Sequence, residues 1–243
     1  MKKYNAIKTL CIAVVMAATG FTANAQLEQS VFLSGNIPTG RFATNYDPGT
    51  GIVLMGKANI GKAATMGLGF GYRATYVFDV GFGEVAPFLN ADFQWNRVKK
   101  GLRENYMRAN ASKPNYLNIP VMVGIGYRYM LTDIIKVFGE FGVGADFFSI
   151  TPEGNKDDGT IGYCQYHVKP QLAWQVGGGA FFGSHVSASL HYYGLGQHAI
   201  TYNESKCSGA VYAADKLSYE TGLTNKVETP TFGSIVLRIG FHF

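Results

Sequence analysis

Between residues 116 and 130 the chain reads Tyr116-Leu117-Asn118-Ile119-Pro120-Val121-Met122-Val123-Gly124-Ile125-Gly126-Tyr127-Arg128-Tyr129-Met130. Apolar side chains recur at alternate positions, from Leu117, Ile119 and Val121 through Val123 and Ile125 to Tyr127 and Tyr129. Asn118, Gly124, Gly126 and Arg128 fall between them. Period-two alternation puts one set on each face of an extended strand; a helix would scatter the same residues around its circumference. The run is also long. Ordinary strands have about 5–6 residues, whereas a strand crossing a bilayer at a tilt needs about 9–11.

The same pattern recurs outward from this stretch. In 64–78, Met66, Leu68, Phe70, Tyr72 and Tyr76 oppose Gly67, Gly69, Gly71, Arg73 and Thr75. In 231–243, Ile235, Leu237, Ile239, Phe241 and Phe243 alternate with Ser234, Val236, Arg238, Gly240 and His242. With similar patterns around 30–38, 84–97, 135–150, 165–182 and 185–199, eight strands are predicted. Three connections are tight (79–83, 131–134 and Gly183-Ser184) and four are long (39–63, 98–114, 151–164 and 200–230). Long and short alternate strictly. The predicted fold is therefore all-β: a single eight-stranded antiparallel up-and-down transmembrane β-barrel, with long loops at one rim and both termini at the other, periplasmic, rim. A soluble lipocalin-like barrel shares the strand count but turns its apolar side chains inwards. Loop asymmetry, aromatic residues near both rims and the terminal Phe243 favour the membrane form. Trp174, in the middle of 165–182, fits neither aromatic girdle. Pro87, Pro120 and Pro170 require bulges or frayed pairing near strand ends.

Composition agrees. Of 243 residues, 47% are hydrophobic, 15% are charged and 31 are Gly, with 17 Phe, 15 Tyr and 2 Trp. Such a chain can bury ample apolar surface, which excludes disorder. Beyond residue 25 no apolar run approaches the length of a membrane-spanning helix.

Residues 1–25 form a secretory signal: Lys2, Lys3 and Lys8, an apolar stretch from Leu10 to Phe21, and the Ala23-Asn24-Ala25 cleavage pattern. Cleavage leaves 26–243 as one barrel domain. The signal takes three of the 21 Lys and Arg and none of the 16 Asp and Glu, so the mature net charge falls to about +2 and nucleic-acid binding is not expected.

Several segments resemble small outer-membrane β-barrel proteins of the Bacteroidetes type, of the porin-like barrel-domain family. These are Ser34-Gly35-Asn36-Ile37-Pro38-Thr39-Gly40, Leu117-Asn118-Ile119-Pro120-Val121-Met122, Phe138-Gly139-Glu140-Phe141-Gly142-Val143-Gly144, Ala173-Trp174-Gln175-Val176-Gly177-Gly178-Gly179 and His191-Tyr192-Tyr193-Gly194-Leu195-Gly196. The closing segment, with Leu237, Ile239, Phe241 and Phe243, looks like the insertion signal read by the barrel-assembly machinery. The resemblance implies the outer membrane of a Gram-negative bacterium and supplies no catalytic residues.

If the apolar parity faces lipid, the other parity lines the lumen. The predicted polar network contains Arg73, Asp92, Arg128, Glu140, Asp146, Lys169, Gln175 and Arg238. Asp146 with Lys169, and Glu140 with Arg73 or Arg238, are the expected pairs, because buried charges need partners. Phe138, Phe148 and Tyr193 can fill remaining space, so a plugged barrel is expected over a narrow channel for small polar or amphipathic solutes. The plugged barrel would act as an envelope component or through its extracellular loops. In the second long loop Arg97, Lys99, Lys100, Arg103, Arg108 and Lys113 face a single Glu104, a cluster suited to lipid A phosphates of lipopolysaccharide, other outer-membrane lipid or anionic surface polysaccharide. Cys164 and Cys207 are the only mature cysteines and are expected to form a disulfide.

A lipid-modifying enzyme is a third reading with little behind it. His185-Val186-Ser187 lacks an orienting carboxylate, and the remaining histidines lack metal-ligand spacing. No enzyme activity, cofactor or metal is expected, and a monomer is.

Overall fold

The computed structural model describes residues 25–44, 61–100, 115–151, 153–155, 162–164, 166–203 and 224–243. Eight long strands close a barrel: β1 (Ala25–Thr39), β2 (Ala64–Asp79), β3 (Glu84–Val98), β4 (Asn115–Thr132), β5 (Ile135–Ile150), β9 (Gln171–Phe182), β10 (Val186–Gly196) and β13 (Phe232–His242). Five short strands lie in the long connections: β6 (Glu153–Asn155), β7 (Gly162–Cys164), β8 (Tyr166–Val168), β11 (Ala199–Asn203) and β12 (Thr224–Glu228). A 3₁₀ turn over Gly40–Ala43 follows β1.

Every barrel strand pairs antiparallel with its neighbours, and β1 closes on β13 from Ser30 opposite His242 to Thr39 opposite Gly233. Backbone bonds between Gln29 and the terminal Phe243 extend that seam. Closure removes the free sheet edges that hydrocarbon cannot tolerate.

Alternation orients the wall. Leu33, Leu68, Phe70, Leu89, Val123, Ile125, Leu190, Leu237 and Ile239 point outward and are exposed, while the residues between them face in. So broad an apolar exterior far exceeds the patches of a soluble monomer and suits lipid. Phe82, Tyr129, Phe182 and Phe243 crowd the tight-turn rim, and Trp95, Phe147 and Trp174 lie toward the other. The inward-pointing lipocalin arrangement is thereby excluded.

Two predicted strands are shorter inside the barrel than the alternation implied. The run 165–182 breaks after β8, because Pro170 cannot donate to the ladder, and the barrel strand begins at Gln171. Trp174 therefore sits close to the long-loop end of β9, against Tyr192 with ring centroids 5.4 Å apart, and belongs to that girdle. The run 185–199 breaks at Gly196, whose φ is 78°, and β11 leaves the barrel to pair with β8 and β12. The other two prolines lie beside ladder interruptions. The β3–β4 pairing skips from Ala91 opposite Val121 to Gln94 opposite Asn118, at Pro120. The β2–β3 pairing skips from Thr75 opposite Phe88 to Phe78 opposite Val85, at Pro87.

Candidate functional site in the barrel interior

The interior is built from one side chain in two on each strand, and its polar members fall into three tiers. Nearest the tight turns, Arg128 on β4 reaches Glu28 on β1 at 2.7 Å and Glu84 on β3 at 3.9 Å. Lys136 meets Glu84 at 2.5 Å. His242 bridges the seam, with Nδ1 2.8 Å from Glu28 and Nε2 2.8 Å from Ser187. The Arg128 guanidinium lies 4.5 Å from the Phe181 ring centroid, so it is covered as well as paired.

The middle tier crosses the lumen. Arg73 on β2 donates to Glu140 on β5 at 2.6 Å, with its guanidinium 4.0 Å from the Phe88 ring. Gln175 donates to the other Glu140 oxygen at 3.0 Å, and His191 Nδ1 lies 3.5 Å from it. Opposite, Arg238 pairs with Asp92 at 3.1 Å, donates to the Tyr193 hydroxyl and packs 4.2 Å from the Phe32 ring. Gln94 also donates to Asp92, at 3.0 Å. Ionised pairs of this kind withstand burial only when both charges are compensated.

The third tier, at the long-loop end, joins an aromatic cluster to the buried amides Asn36, Asn96 and Asn118 and to one carboxylate–histidine pair. Phe42 of the 3₁₀ turn stacks on Phe232 at 4.3 Å, and Phe232 meets Phe148 edge-on at 4.7 Å. Tyr116 completes the group, 5.5 Å from Phe42 and 5.8 Å from Phe148. All four are buried, forming a stopper across this end. Asp146 is held beneath it by His198, with Nε2 3.0 Å from Oδ2, while the ring of His198 stacks near Phe148 and Phe232. Below the stopper a cavity of about 30 Å³ lies among Arg73, Arg128, Glu140, His191 and Arg238, room for about two waters.

Of the predicted network, Arg73, Glu140 and Gln175 come together, as do Asp92 and Arg238. Arg128 joins the tight-turn tier. Lys169 does not line the lumen and does not meet Asp146. It lies exposed between β8 and β9, because the chain leaves the barrel at Pro170, and His198 takes its place on Asp146. Sequence reasoning passed over Glu28 and Glu84. Glu28 was legible in the alternation of Leu27-Glu28-Gln29-Ser30-Val31, which extends β1 beyond the predicted 30–38. Phe232 shares the inward parity of Ser234 and Val236 in the 231–243 run, whereas Phe42 carried no such signal, because the strand pattern does not cover the turn that aims it inward.

The His-x-Ser pair is separated by its partners. His185 lies exposed in the turn with Nδ1 3.1 Å from the His242 carbonyl, while Ser187 is buried against the His242 ring. Among the loop cations, Arg97 is exposed beside Trp95, 6.0 Å from its ring centroid, and Lys100 is exposed. Lys99 instead donates to the Ala43 carbonyl at 2.5 Å. Arg103, Arg108 and Lys113 lie outside the described residues, as do the signal segment before Ala25 and Cys207. The backbone of Cys164 belongs to β7, and its side chain is outside the description. At the C-terminus Leu237, Ile239, Phe241 and Phe243 all point outward along the closing seam.

No protein-family model matches the chain, and no curated protein sequence does. Solved structures do. A major outer membrane protein from Thermus thermophilus matches at 12% identity and TM-score 0.50, over 90% of this chain and 100% of that one. The outer membrane protein OprG from Pseudomonas aeruginosa matches at 13% identity and TM-score 0.47, over 91% and 96%. Neisserial surface protein A matches at 8% identity and TM-score 0.40, over 91% and 100%. At such identities the likeness concerns the fold alone.

Proposed function

We propose that this chain is an integral outer-membrane β-barrel of a Gram-negative envelope whose lumen is closed, so that it works as a structural component and through its long loops rather than as a pore. The observation that carries the reading is closure in series: crossed ion pairs at mid-barrel and an aromatic stopper at the long-loop end. An eight-stranded barrel is just wide enough for side chains to fill, and here charged, aromatic and amide groups fill it. The outward apolar band and closed sheet support residence in a bilayer.

Long loops at one rim and the seam of both termini at the other support the usual orientation, with the loops outside the cell and the termini in the periplasm. The outward row ending in Phe243 fits insertion by the barrel-assembly machinery. The family reading drawn from the sequence, a Bacteroidetes-type barrel acting as a monomer without enzymatic activity, is part of this proposal. Outer-leaflet lipid is its proposed partner, through exposed cations such as Arg97 and Lys100.

The test is conductance of refolded mature protein in a planar bilayer, with heat-modifiable gel migration confirming the fold. Silence is expected. Steady discrete steps from folded protein would replace the plugged barrel with the narrow channel.

A further inference from the structure

The outward row at the level of Trp95 contains one gap. The ladders align Leu237 on β13, Gly35 on β1, Leu68 on β2 and Trp95 on β3 side by side. Leu237, Leu68 and Trp95 project from the wall, being 54%, 76% and 48% exposed. Gly35 projects nothing, and a Cβ built there would meet no atom within 4 Å. The result is a groove of about 470 Å³ floored by Gly35 and Gly67 and walled by Ile37, Met66, Leu68, Trp95 and Leu237. Arg97 lines its upper end and is exposed on the long-loop side of Trp95. A second apolar groove, of about 450 Å³, lies below it along the same strands beside Leu33, Phe70 and Val31. From Ile37 to Val31 the two cover about 20 Å of strand, which at the tilt of a barrel strand is about the depth of one leaflet.

We propose that this face of β1, β2 and β3 is a specific lipid site, taking one acyl chain of a phosphorylated outer-leaflet lipid in the groove and its phosphate on Arg97. Apolar walls alone would accept any lipid. The cation at the headgroup end makes the site selective for an anionic one, since a guanidinium binds phosphate in bidentate fashion. Trp95 holds that guanidinium at the interface.

The site rests on the reading that the barrel spans a membrane, and the test separates the two. Trp95 reports directly on the groove once Trp174→Phe leaves it as the single tryptophan. The protein is placed in phosphatidylcholine nanodiscs containing phosphatidylglycerol or phosphatidylcholine with brominated chains, and quenching gives the relative association of each. We expect the anionic lipid to be favoured about fivefold, the scale of one cation near a membrane surface. Arg97→Gln should abolish the preference. Gly35→Leu, whose Cβ would meet no atom within 4 Å and whose longer side chain would occupy the groove, should weaken quenching by both lipids, and Gly35→Val serves if the leucine variant loses heat-modifiable migration. The reciprocal Trp95→Phe protein, reporting from Trp174, should show no preference. Equal quenching by the two lipids at Trp95 in embedded protein overturns the site alone. A chain that does not enter nanodiscs overturns the membrane reading, and the site with it.

Discussion

Glu140 holds the middle of the barrel together, because three side chains from three other strands converge on its two oxygens: Arg73, Gln175 and His191. Removing Arg73 strands a buried carboxylate, a change that costs about 3–5 kcal/mol in a low-dielectric site. Arg73→Ala should therefore lower the urea midpoint of the barrel sharply, read by loss of heat-modifiable migration. Arg73→Met with Glu140→Met, which removes both charges and keeps the volume, should recover most of the loss. If the double variant is as unstable as the single, the pair does more than balance charge. Parity placed Arg73, Glu140 and Gln175 in the lumen, whereas the identity of the partner across the lumen depends on shear and diameter, which no local pattern carries.

Along β4 and β5 the glycines are of two kinds, and the difference is legible only in three dimensions. Gly124 lies opposite Gly142 with its absent Cβ aimed at the Phe141 carbonyl and the Phe88 ring. Gly139 points outward, with nothing within 4 Å of where a Cβ would be. Gly124→Val should destabilise by about 1–3 kcal/mol through overpacking, or prevent refolding. Gly139→Val should leave the urea midpoint close to that of the parent. Equal tolerance of both would mean that the interior has slack to absorb a side chain at β4. Prolines act on the same scale: Pro87 and Pro120 interrupt a ladder locally, while Pro170 ends a strand and removes Lys169 from the lumen.

For the molecule as a whole, the tiers act in series, so opening one should not open the barrel. Phe42→Ala with Phe232→Ala removes two of the four stopper rings but leaves Arg238 on Asp92 and Tyr193. Asp92→Ala with Arg238→Ala removes that pair but leaves the stopper. Each double variant should be silent in a planar bilayer, and so should the four substitutions together, because Arg73 on Glu140 and Arg128 on Glu28 still cross the lumen. Steps from the stopper variant alone would show that the mid-barrel charges already leave a path, and that the long-loop end is the single gate.

Much of this architecture is a property of the local chain. Period two, strand length and the alternation of tight with long connections determined the strands, their up-and-down order and which side chains share a face, because these are set by neighbours and by consecutive strands. The exposed apolar parity of the closed barrel decided which face is outward. The tertiary structure alone decided which charges meet, and it did so across distances the pattern cannot see. Glu140 meets Arg73 rather than Arg238, and Asp146 meets His198 rather than Lys169. It also decided what closes the barrel, since Phe42 and Phe232 stack only after β1 and β13 form their seam. Face is written in the spacing of residues along one strand, whereas partnership is written in the curvature and register of eight.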